Sequence, residues 1–144
     1  NLMYCNSIHL IDYFNIFCRG KLIHVKNFLK TKKNKAGLVL SHLKYSSGDI
    51  GIYNCVWNKP SPWSVSVTTN KKYLELKPLE FLSIRKNFSK KIKKLNIQKQ
   101  EPKNLKIGLT NQALELYKFL LNKKNNLVSL NNSLNTMKII KKIY

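Results

Sequence analysis

Between Leu22 and Phe88 the chain is a succession of short segments of alternating polarity, separated by turn residues only a few positions long. No other feature constrains the fold as much. Successive side chains of a strand point to opposite faces, so a period of two marks a half-buried strand. Connections this short cannot carry a crossover, so neighbouring strands must pair antiparallel. Leu22 to Leu29 is the first, with Ile23 and Val25 inward and His24 and Lys26 alternating with them. Thr31 to Lys35 is a polar turn. Leu38 to Tyr45 follows, with Leu38, Leu40, His42 and Lys44 on one face and Val39, Ser41, Leu43 and Tyr45 on the other. Ser46-Ser47-Gly48-Asp49 is a hairpin turn, because Gly and Asp tolerate the dihedrals a tight turn needs. Ile50 to Asn58 sets Gly51, Tyr53, Cys55 and Trp57 opposite Ile50, Ile52, Asn54 and Val56. Pro60 and Pro62 cannot donate to a ladder and interrupt it. Trp63 to Thr69 and Tyr73 to Leu76 resume it, and Leu79 to Phe88 continues in extended form.

Helical spacing brackets this ladder. Asn6 to Arg19 is predicted as an amphipathic helix, with Asn6-Ser7 as its cap and Ile8, Ile11, Phe14 (or Asn15) and Cys18 recurring every three to four residues. Gly20 closes it. Lys86 to Lys106 reads as a basic, irregular linker. Thr110 to Lys123 is a second helix with Ala113, Leu116 (or Tyr117) and Leu120 inward. Asn132 to Tyr144 is a third, with Leu134, Met137 and Ile140 inward. The expectation is an α+β fold: one domain over residues 1–144, with a mostly antiparallel sheet of five to six strands and helices packed on one face.

Composition narrows the function. With 144 residues and 43% hydrophobic content the chain is long and apolar enough for a core. No apolar run approaches the ~20 residues that span a bilayer, and there is no signal-peptide pattern. Cys5, Cys18 and Cys55 have no zinc-ligand spacing and read as reduced, mostly buried residues of a cytoplasmic protein. The net charge of +21 invites a nucleic-acid partner. Against that, 25 of the 27 cations are Lys and only Arg19 and Arg85 are Arg, the residue that forks onto phosphates. The lysines are also spread over several elements, so nucleic acid is a possible partner but not the favoured one.

The chemistry-bearing positions are few. His9 and Asp12 are three residues apart on the first helix and lie on neighbouring parts of one face. An imidazole and a carboxylate on a rigid element can form a proton-transfer site. The same spacing also suits a half-buried histidine beside a surface charge. No glycine-rich dinucleotide fingerprint, P-loop or nucleophile triad is present. Six acidic residues are too few for paired-carboxylate or carboxylate-rich metal chemistry. Tyr53, Trp57 and Trp63 suit a stacking platform or, more commonly, the core of a sheet.

The order of these elements resembles the C-terminal domain of the Gfo/Idh/MocA family of NAD(P)-dependent oxidoreductases. Asn6-Ser7-Ile8-His9-Leu10-Ile11-Asp12 resembles the helix that bears the family's active-site histidine. Gly48 to Asn54 and Trp57 to Pro60 resemble its central hairpin. Pro62 to Val67 and Leu74 to Glu80 resemble the strands that follow, and Leu105 to Leu109, Gln112, Phe119 and Leu134 to Tyr144 the closing helices. The resemblance implies that His9 passes the proton of a hydroxyl or carbonyl on a sugar, sugar-nucleotide or cyclitol substrate. It implies that Asn6 and Asp12 serve the substrate, Asp12 more by orienting the helix than by chemistry. A Rossmann domain preceding Asn1 would hold NAD or NADP and supply the family's catalytic lysine, so this chain should not turn over by itself. The open sheet would form a homo-oligomer. Many members carry an aspartate four residues before the histidine, where this chain has Cys5, and a neutral thiol cannot supply that charge.

Overall fold

The computed structural model describes residues 3–29, 37–57, 59–96, 105–106 and 108–144. A π-helical turn, Met3–Ser7, leads into α1 (Ile8–Phe17). Seven strands follow: β1 (Leu22–Leu29), β2 (Leu38–Tyr45), β3 (Ile50–Val56), β4 (Val65–Thr68), β5 (Lys72–Leu76), β6 (Phe81–Lys86) and β7 (Ile92–Asn96). Helices α2 (Leu109–Leu120) and α3 (Leu130–Ile143) complete the chain. The fold is α+β and every strand pairing is antiparallel. The strands divide between two sheets, β1-β2-β3 and β4-β5-β6-β7. The chain forms two compact units, one of residues 1–61 with 130–144 and the other of residues 62–129. Among the described residues no helix is long and apolar enough to cross a membrane. The turn expected at Thr31 to Lys35 lies outside the described residues.

In the first unit α1 and α3 cover one face of the three-stranded sheet. That face presents Val39, Leu43, Tyr45 and Tyr53, and the helices add Ile11, Ile139, Ile140 and Ile143 to form the core. The expected alternation of β2 and β3 is what buries Val39, Ser41, Leu43, Tyr45, Gly51 and Tyr53. Gly51 lies directly under Phe14, where a Cβ would come within 2.7 Å of the ring. Only a glycine lets the helix approach the sheet so closely. Gly20 (φ +75°) is fixed by its left-handed backbone, and a Cβ there would also run into Ser46 Oγ.

Four expectations for local structure are corrected. Ile23 is 59% exposed; a register shift between Leu22 and His24 moves the inward positions to Leu22 and Val25. Ser7 does not cap α1. The chain is already π-helical before it, and the buried Ser7 hydroxyl bonds Tyr53 instead. In α3 the inward stripe is Thr136, Ile139, Ile140 and Ile143, so Leu134 and Met137, each 42% exposed, lie off it. The segment read as an irregular linker contains β7, which pairs with β6 from Phe81↔Asn96 to Arg85↔Ile92.

The second unit is a four-stranded meander followed by α2. Val65, Val67, Leu74, Leu76, Leu82 and Ile84 share one sheet face by register and are all half-buried. Ala113, Leu116 and Leu120, expected inward, are all exposed, and no residue of α2 is buried. The helix has apolar residues on several sides and nothing packed deeply over any of them. Its next loop folds back through Glu115, which accepts from Lys118 Nζ at 2.6 Å and from the backbone N–H of Asn126.

Candidate functional site

The histidine helix is fastened at two points. Asp12, one turn beyond His9, accepts a hydrogen bond from Thr136 Oγ1 on α3. Asn15 Nδ2 donates to the same Thr136 oxygen at 2.7 Å and to Asp12 Oδ1 at 3.3 Å. Thr136 is 1% exposed, so this polar cluster ties the two helices together through a buried hydroxyl, with Asp12 half-buried and Asn15 exposed at its rim. At the far end Arg19 forks onto Asp49 of the β2–β3 turn. Its Nη2 donates to Oδ1 at 2.8 Å, its Nε to Oδ2 at 3.0 Å and its backbone N–H to Oδ2 at 2.8 Å. Ser47 Oγ adds a bond to the Arg19 carbonyl at 2.6 Å. The Arg19 hydrogen bonds hold the Asp49 carboxyl far below the usual carboxylate range.

His9 is exposed in the first turn of this helix, and its imidazole has no hydrogen-bond partner among the described residues. Asn6, also exposed, sits in the π-helical turn just before it. The structure therefore leaves Asn6 and His9 open to solvent and commits Asp12 to α3. An imidazole so placed can take or give a proton to a ligand, and an amide can bond a hydroxyl. The partner of Asp12 was not readable beforehand, because Thr136 lies 124 residues away in sequence.

A run of hydrogen-bonded aromatic side chains packs into the core of the same unit. Trp57 Nε1 donates to Tyr144 Oη at 3.0 Å, and Tyr144 also bonds Tyr53. Burial raises both phenols above their ordinary range, so they stay protonated at neutral pH. Tyr53 is in the core, and Trp57 and Tyr144 pack against it. These aromatics are structural, and Tyr53 and Trp57 form no exposed stacking platform. Trp63 stands apart in the second unit and is 37% exposed. Cys18 and Cys55 are free and half-buried. Among the described residues no cluster of His, Cys, Asp or Glu could hold a metal.

Nor do these residues suit a dinucleotide. The Rossmann form of such a site needs a parallel strand feeding a helix through a glycine-rich turn. Every described strand pair here is antiparallel.

No protein-family model matches the sequence, and no curated protein matches it. Solved structures do. A chain from Desulfitobacterium hafniense DCB-2, assigned as an NADPH-dependent oxidoreductase, superposes with a TM-score of 0.70 at 14% identity, over 98% of this chain and 44% of its own. The dehydrogenase MviM of Clostridium difficile superposes with a TM-score of 0.66 at 15% identity, over 96% of this chain and 45% of its own. This chain thus spans less than half the length of either match. At such identities the likeness is one of fold, and the fold is that of just under half of an oxidoreductase, as the resemblance read from the histidine helix and the strands implied.

Proposed function

We propose that this chain is the substrate-binding and assembly half of an NAD(P)-dependent oxidoreductase acting on a sugar, sugar-nucleotide or cyclitol. The observation that carries the reading is His9: a solvent-exposed imidazole on a helix anchored by Asp12–Thr136 and Arg19–Asp49. A proton-transfer group needs a fixed position more than it needs burial. His9 Nε2 or Nδ1 would exchange the proton of the reacting hydroxyl, and Asn6 would bond a neighbouring hydroxyl. Asp12 serves by holding the helix. The nicotinamide cofactor would be held by a domain other than the residues described.

The outer face of the three-stranded sheet supports the assembly role. Leu38, Ile50 and Ile52 are 38, 61 and 67% exposed there, and the register sets Lys44 opposite Ile50, His42 opposite Ile52 and Asn54 opposite Leu40. Exposed aliphatic side chains interleaved with polar ones suit an interface with a second copy of the sheet.

The test joins the chain to a dinucleotide-binding domain and follows nicotinamide absorbance over a panel of sugars, sugar nucleotides and cyclitols. The expected result is turnover that His9→Ala lowers by about 10²–10⁴-fold. Turnover untouched by that substitution would overturn the role of His9. No turnover with any substrate of the panel would overturn the oxidoreductase reading.

A further inference from the structure

The second unit carries a basic groove that the oxidoreductase reading does not use. The turn between β4 and β5 and the turn between β6 and β7 lie side by side at one end of the sheet, tied by Asn87 N–H to the Lys71 carbonyl at 2.9 Å and by Asn87 Nδ2 to the Asn70 carbonyl at 3.4 Å. Between them is an open cavity of about 740 Å³ whose lining includes Lys72, Tyr73, Arg85, Lys86, Phe88 and Lys90 and no carboxylate.

Two features set this groove apart from a merely lysine-rich surface. The first is Arg85. The other arginine of the chain is spent on Asp49, whereas Arg85 has no carboxylate partner among the described residues and lies over the Tyr73 ring, 5.4 Å from its centroid. Stacking fixes the plane of the guanidinium and leaves its N–H edge free to fork onto a phosphate. The second is Phe88. The residue is fully exposed and its backbone φ is +57°. A bulky side chain in the left-handed region is strained, and a fully exposed ring gains nothing from burial. Neither property helps the fold. Both suit a ring that gains its partner from a ligand.

We infer that this groove binds a nucleoside polyphosphate, its phosphates on the Arg85 fork and its base on the face of Phe88. One free ring favours a single nucleotide over a nucleic-acid strand. A strand is held by successive aromatic platforms, and Tyr73, the other ring of the groove, is covered by Arg85.

The experiment titrates the full chain with ATP, with inorganic tripolyphosphate and with an oligothymidylate, by calorimetry at near-physiological salt. Three variants are compared: Arg85→Ala, Phe88→Gly and, as a charge control in the other unit, Lys44→Ala. Glycine is chosen at Phe88 because it accepts the positive φ. All three side chains are exposed, and circular dichroism checks that each variant stays folded. The expected result is saturable one-site ATP binding, weakened about tenfold by Arg85→Ala and about tenfold by Phe88→Gly, and unchanged by Lys44→Ala. Tripolyphosphate binding as tightly as ATP would overturn the role of the base. Equal weakening by Lys44→Ala would show diffuse charge rather than a site. Preference for the oligothymidylate, with a slope of about −0.7 per phosphate in log affinity against log salt, would replace the nucleotide with a strand. Binding that Arg85→Ala leaves intact would overturn the site.

Discussion

The two units spend similar sequence on very different interiors. The first closes two helices over a three-stranded sheet and excludes water completely from Ile11, Val39, Leu43, Ile140 and Ile143. The second has one more strand and a twelve-residue helix, yet none of its described residues is buried. Both have alternating strands, so patterning alone does not make a core. The first unit differs in having a second layer whose apolar stripe meets the sheet. Burying one aliphatic side chain is worth about 1.5–3 kcal/mol, and only this unit gains that amount in full. Structural precision of the kind a proton-transfer site needs resides there too. The open groove lies in the unit with the looser interior.

Each unit contains one tryptophan, Trp57 in the first and Trp63 in the second, so unfolding can be followed separately by replacing either with Phe. The largest expected effect is Ile140→Ala. It should cost about 2–5 kcal/mol in urea unfolding read at Trp57, against about 1 kcal/mol for half-buried Leu74→Ala read at Trp63. Equal costs would break the contrast between the units. Gly51→Ala should cost about 1–3 kcal/mol, because the new methyl group must displace the Phe14 ring. Thr136→Val keeps the shape and removes the hydroxyl that joins Asp12 and Asn15, for about 1–3 kcal/mol; in the joined enzyme it should also lower turnover if the clamp positions His9. An unchanged melting temperature would separate the clamp from stability.

Tyr45 supplies a prediction of opposite sign. Its hydroxyl is buried without a partner among the described residues, so Tyr45→Phe should leave stability unchanged or raise it by about 1 kcal/mol. A loss would mean that the hydroxyl is satisfied. The smallest effect concerns acid. The carboxyl of Asp49 has a lowered pKa in the folded state. Its contribution is therefore complete above the unfolded value, about 3.9, and is lost as pH falls through the folded value. Melting temperatures taken from neutral pH down to about 3 should fall further for the native chain than for Asp49→Asn. Parallel curves would remove the Arg19 fork from the stability of the first unit.

The sequence showed some of this directly. Strict alternation sorted β2 and β3 into two faces residue by residue, since a period of two leaves no freedom of phase; which face is buried is set by the helices that cover it. The same logic failed on β1 at Ile23, because the first of two register shifts in that strand changes the parity between Leu22 and Val25. β7 escaped notice because Lys93 and Lys94 break any apolar pattern, and its partner strand alone makes it a strand. On α3 the stripe was read at Leu134, Met137 and Ile140. The buried positions lean toward Thr136, Ile139 and Ile143, a phase set by docking on the sheet and on Asp12. In the candidate site, His9 and Asn6 were legible as helix positions. Thr136 was not, because a polar residue on a helix announces nothing about a carboxylate joined to it only by the fold. Arg85 was visible as a rare residue, but its seat on Tyr73 is a property of the register between β5 and β6.

The second unit is inserted between β3 and α3, and this has a consequence for biosynthesis. The core needs Ile139, Ile140 and Ile143 against Ile11, and these positions lie far apart in sequence. The meander of residues 62–129 pairs only with near neighbours and can form as it emerges. The histidine helix and its sheet must wait, with their apolar faces uncovered, until α3 leaves the ribosome. A nascent or prematurely terminated chain therefore displays the adhesive face of β2 and β3 to every chaperone and every other copy nearby, and its survival depends on how quickly the last turns of α3 arrive.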